Sequence, residues 1–94
     1  MHHVYILYSS RSDKYYVGQT PNLENRLKWH NELGTGYTSK HRPWTLVSSY
    51  VVADRSIAMK IETCIKKKKS RRFIEDLIEN RLLWQYLEGK CSAG

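Results

Sequence analysis

The sequence predicts an α+β domain: a three-stranded antiparallel sheet flanked by helices, in the order ββαβαα. Three observations carry that expectation. Two β-forming runs separated by a polar stretch open the chain, a third alternating run follows Pro43, and apolar residues at helical spacing fill the second half. Ninety-four residues, 40% of them hydrophobic, make a single core, because a chain this short has little interior to divide. Any site on it is a shallow groove. The domain is expected over residues 1–88, with residues 89–94 as a short tail.

The first run, His3-Val4-Tyr5-Ile6-Leu7-Tyr8, is rich in β-formers, and so is Tyr15-Tyr16-Val17-Gly18-Gln19. The polar residues 9–14 between them close an antiparallel hairpin. Asn22, after Pro21, is a good helix N-cap, and Leu23 and Leu27 at i, i+4 support a helix to about Asn31. Gly34 and Gly36 end it, and residues 32–43 read as a polar loop. In the strand over 44–52, Trp44, Leu46, Ser48, Tyr50 and Val52 share one face by alternation. Asp54 or Ser56 caps a second helix with the stripe Ile57, Ala58, Ile61 and Ile65. Ser70 caps a third, whose apolar spacing continues from Phe73 through Trp84 and Leu87 until Gly89 closes it.

The net charge of +7 is uneven. Residues 59–74 hold seven basic groups and one acid, Glu62, a density that attracts a polyanion such as a phosphate backbone. A lysine run is also the ordinary end of a solvated helix. No G-x-S-x-G, Gly-rich phosphate loop or H-E-x-x-H occurs, so acyl transfer, nucleotide hydrolysis and zinc proteolysis lack their parts. Cys64 and Cys91 have no partner at metal-site spacing and read as free thiols. With no apolar stretch near the roughly 18 residues of a membrane span, a cytoplasmic protein without membrane contact is expected.

A few residue pairs carry chemistry. Tyr5 and Tyr16 meet on one face of the hairpin if the register permits, and Arg26 and His30 share a helix face at i, i+4. Glu62 pairs with Lys66 at i, i+4 as a surface salt bridge, or holds a divalent cation against a phosphate, since hard cations take oxygen ligands. One carboxylate means one metal with a largely hydrated shell.

Together, His3-Val4-Tyr5, then Tyr15-Tyr16-Val17-Gly18-Gln19-Thr20, then Arg26-Leu27-Lys28-Trp29-His30-Asn31, Arg42-Pro43-Trp44-Thr45-Leu46-Val47 and the segment from Asp54 to Glu62 resemble the GIY-YIG nuclease family. The resemblance covers about residues 3–72. It implies metal-assisted hydrolysis of DNA phosphodiesters, directed by structure rather than sequence, with RNA or branched or single-stranded DNA as other substrates. Tyr5 would be the base or the group orienting the attacking water, and Tyr16 would bond the water or phosphate. Arg26 would neutralise the phosphorane, His30 would assist Tyr5 or contact phosphate, and Glu62 would hold Mg²⁺ or Mn²⁺. Gly18 would permit close backbone approach, while Lys14, Lys40, Arg42, Lys66, Lys67, Lys68, Lys69, Arg71 and Arg72 would position the strand. Two positions depart from the pattern: His3 stands where the name motif has Gly, and Ile74 through Leu77 stand where many members carry an Asn, with Asn80 further on. The alternative is a binder that keeps the groove without turnover. The last helix, with Trp84, Tyr86 and Leu87, leaves room for a homodimer or protein partner.

Overall fold

A computed structural model describes residues 1–34 and 36–92. Strands β1 (His2–Ser9), β2 (Lys14–Thr20) and β3 (Trp44–Val52) form one sheet in the order β2-β1-β3, both pairings antiparallel. Helix α1 (Leu23–Lys28) runs into a π turn at Trp29–Leu33. A 3₁₀ turn at Thr38–His41 precedes β3, and α2 (Arg55–Lys68), α3 (Arg71–Glu79) and α4 (Arg81–Ser92) complete the fold. The α+β class and antiparallel sheet are as the sequence predicts.

Central β1 is apolar on both faces, because both are covered. Val4 and Ile6 join Ala58, Ile61 and Ile65 of α2, Leu77 of α3 and Trp84 and Leu87 of α4 in the main core. Each fully buried Val, Ile or Leu among them contributes about 1.5–3 kcal/mol. Tyr5 and Leu7 point the other way, packing with Trp44, Tyr16, Leu23, Leu27 and Leu46. Strand periodicity thus divides β1 between a core that holds the fold and a second cluster under α1.

The single-face reading of β3 is corrected. The register shifts between Ile6 and Leu7, which pair with Ser48 and Leu46, so Val47 is one residue in excess on β3. A bulge of this kind reverses the alternation. Trp44 and Leu46 lie on the Tyr5 face, whereas Tyr50 and Val52 join the main core.

The capping residues act as expected at three helices: the side chains of Asn22, Asp54 and Ser70 accept from the backbone N–H of Asn25, Ile57 and Phe73. The single helix expected after Ser70 is instead two. Asn80 is extended, with φ −129°, and its Oδ1 accepts from Leu82 N at 3.0 Å, so it breaks the helix as a second N-cap. The apolar spacing runs unbroken across it, which is why the break is invisible to periodicity. Gly89 does not close the pattern either, since α4 continues to Ser92; residues 93–94 of the expected tail lie outside the described residues.

Two further expectations change. Cys64 and Cys91 are not free thiols but a disulfide joining α2 to α4, with Cα atoms 6.8 Å apart. Helix packing, not sequence spacing, brings them together. On α4, Trp84 and Leu87 are spent on the protein's own core, Trp84 stacking on Tyr50 at 5.4 Å between ring centroids. Of the three residues assigned to a dimer or partner, only Tyr86 is exposed, and nothing supports that contact. Among the described residues, no helix is long and apolar enough to cross a membrane.

Candidate active site

The β1–β2 register sets the centre of the second cluster. Tyr5 pairs with Gly18, and Leu7 with Tyr16, so the two phenols are diagonal neighbours on one face, 6.5 Å apart between ring centroids. Gly18 has a local reason to lack a side chain: a Cβ there would stand 2.6 Å from Tyr5 Cζ. The ring lies across the glycine. What the glycine admits closely is therefore Tyr5 itself.

His30 comes from the π turn. Gly34 N–H donates to Trp29 O at 2.6 Å, closing the wide turn, and a Cβ at Gly34 would strike the Trp29 ring at 2.8 Å. Asn31 fixes the segment to β3 by bonding both backbone groups of Trp44, accepting from N at 2.6 Å and donating to O at 3.0 Å. Arg42 donates to the carbonyls of His30 and Gly34. Its guanidinium is occupied by the backbone of the turn.

So held, His30 is 1% exposed, with Nε2 3.0 Å from Tyr5 Oη and its ring edge-on to Tyr16 at 5.0 Å. Burial, reinforced by Arg26 and Arg42, pushes the imidazole pKa down to about 4. Burial also raises the Tyr5 phenol above its ordinary value, aided by Tyr16 and Glu62 and opposed by Arg26. Both groups are neutral at pH 7. The phenol O–H therefore donates to Nε2, leaving the proton on Nδ1, which has no partner among the described residues. Arg26 stacks over the Trp29 ring at 5.2 Å, close enough to act on both Tyr5 and His30.

Glu62 approaches from α2. Its Oε2 accepts from Lys66 Nζ at 3.0 Å, and the same ammonium stands 5.6 Å from the Tyr16 ring centroid. Both readings of Glu62 are therefore compatible with its placement: the salt bridge exists, and it lies beside the tyrosines. The donor set suits a hard cation. The carboxylate is partly exposed and its one ionic partner is an exposed, flexible lysine, so a divalent ion can compete for it. Among the described residues no group of three His, Cys, Asp or Glu could hold a metal, so any ion here would take its remaining ligands from water and phosphate.

The basic residues divide. Arg71 is bonded to Asp13 and Glu75, Arg72 stands 3.7 Å from Asp76, and Lys68 covers the Phe73 ring. Lys14, Lys66 and Lys69 line a groove beside Tyr16, whereas Lys40 is exposed on the 3₁₀ turn and Lys67 is exposed on α2. Sequence reasoning did not single out Trp29, Asn31 or Tyr37 as site residues. Their aromatic or amide character near Arg26 and His30 was the available signal.

Comparison with known proteins follows from this geometry. The family model of the GIY-YIG catalytic domain matches residues 1–75. A UPF0213 protein of Streptococcus pneumoniae is 35% identical over 89 residues, covering 92% of this chain and 89% of the relative. One of Syntrophus aciditrophicus is 38% identical over 81 residues, covering 83% and 91%. The solution NMR structure of the UPF0213 protein BH0048 from Bacillus halodurans superposes with a TM-score of 0.51 at 29% identity, over 83% of this chain and 82% of that one.

Proposed function

The chain belongs to the GIY-YIG family, a nuclease family, and from that premise we propose that it hydrolyses DNA phosphodiester bonds in a structure-directed manner with one divalent cation, Mg²⁺ or Mn²⁺. The observation that carries the reading is the buried Tyr5 Oη–His30 Nε2 hydrogen bond beside Arg26. A bound phosphate adds negative charge next to His30 and offsets the depression of its pKa. Tyr5 Oη then takes a proton from the attacking water as its own proton passes to Nε2, and the water oxygen bonds to phosphorus while the ester P–O bond breaks. Arg26 neutralises the phosphorane, and Tyr16 orients the water or phosphate. Glu62 would hold the cation, which supplies charge stabilisation at the leaving oxygen.

The test is a panel of supercoiled, linear, single-stranded and branched DNA plus RNA, with and without Mg²⁺ or Mn²⁺, on wild type, Arg26→Ala and Glu62→Ala. Metal-dependent cutting by wild type alone supports the site. Equal cutting by both variants removes it, and salt-sensitive binding without cutting of any substrate leaves a non-catalytic binder.

A further inference from the structure

Beside the Tyr5 cluster, and sharing Tyr16 with it, a groove of about 420 Å³ runs between β2 and the junction of α2 with α3. That volume falls within the roughly 300–1,000 Å³ of sites that hold small organic groups. Its floor is apolar, from Ile65 and Ile74, and one wall carries Tyr37, which is 52% exposed. Lys66 and Lys69 stand at its rim, and the one acid there, Asp13, is neutralised by Arg71.

We propose that this groove seats an unpaired nucleotide next to the scissile phosphate, so that the protein acts on single strands or frayed ends rather than continuous duplex. The proposal rests on the nuclease reading above. Phosphates alone would be served by a flat basic face. An apolar floor with exposed tyrosine rewards the faces of a base, which in duplex are already stacked on neighbours. Lys66 and Lys69 take the flanking phosphates without reading sequence. Tyr16 lines both the groove and the tyrosine–histidine cluster, so one strand can occupy both at once.

The experiment is fluorescence anisotropy in EDTA, with labelled oligothymidylate of about 12 nucleotides, the same strand made abasic, an oligouridylate and a duplex of equal length. The single strand is expected to bind about tenfold more tightly than duplex, and the abasic strand to lose about fivefold. The DNA and RNA arms identify the sugar, and preference for single strand in either supports the site. Tyr37→Ala should reproduce the abasic loss. Lys69→Asn, which keeps a residue tolerant of the left-handed backbone found there, should weaken natural and abasic strands alike. Lys60→Asn, outside the groove, should do neither. Duplex binding as tight as single strand, an abasic strand as tight as thymidylate, or Tyr37→Ala without effect overturns the proposal. Since no metal is present, turnover plays no part. Strand preference with no cleavage under any metal sinks the nuclease reading and keeps the site, and cleavage without strand preference does the reverse.

Discussion

Tyr5 and His30, 25 residues apart, share a buried hydrogen bond of 3.0 Å between a phenol whose proton is held too tightly and an imidazole that resists taking one. Both groups are neutral at pH 7. That relationship joins β1 to the π turn.

Tyr5→Phe keeps the ring over Gly18 and deletes only the hydroxyl. Cleavage should fall by about 10²–10⁴-fold, the usual contribution of a positioned base, with nucleic-acid binding within a few-fold of wild type. Single-turnover rates and anisotropy measured side by side check this. Wild-type cutting by Tyr5→Phe would exclude a chemical role for the hydroxyl.

Acid should destabilise the fold through His30. Its pKa is about 4 when folded against 6.5 for the ordinary group, so between these values the unfolded chain binds the proton and the folded chain does not. The contribution is fully present above about pH 6.5 and is lost as pH falls toward 4, at a cost of about 3 kcal/mol. Urea unfolding across that range should show the slope in wild type and a flatter one in His30→Gln.

Gly18→Ala should separate activity from stability. The added methyl meets the Tyr5 ring, which shifts away from His30. Cleavage should drop by at least about tenfold, as displaced catalytic groups do, while the domain still folds. Thermal melting alongside the rate measures both. An unchanged rate would show that Tyr5 need not lie where it does.

Asn80→Ala removes the cap between α3 and α4. It should cost about 1 kcal/mol of stability and leave the cleavage rate per folded molecule unchanged. Loss of cleavage in a fully folded variant would instead show that Asn80 takes part in the reaction.

Much of the fold was legible because local patterns and global packing agree. Asn22, Asp54 and Ser70 cap where their short polar side chains suit helix starts. The motif residues of β1, β2 and α1 converge because strand register and the π turn bring them together. What stayed hidden depended on contacts between distant segments. The excess residue at Val47 appears only when β3 is laid against β1. The Cys64–Cys91 bridge needs α4 seated on α2. Nor does a sequence show that the carbonyls of His30 and Gly34 will be within reach of Arg42.

Of the three strands, the first in chain order is the central one, and that has a biosynthetic cost. β1 can pair early with β2, but its other edge waits for residues 44–52, and its Val4 and Ile6 side stays uncovered until the helices beyond residue 55 are made. During that interval an apolar strand stands with an open edge, the arrangement most prone to pair with another nascent chain. Until residues 44–52 and the helices after them are made, the β1–β2 hairpin therefore depends on staying apart from other unfinished chains.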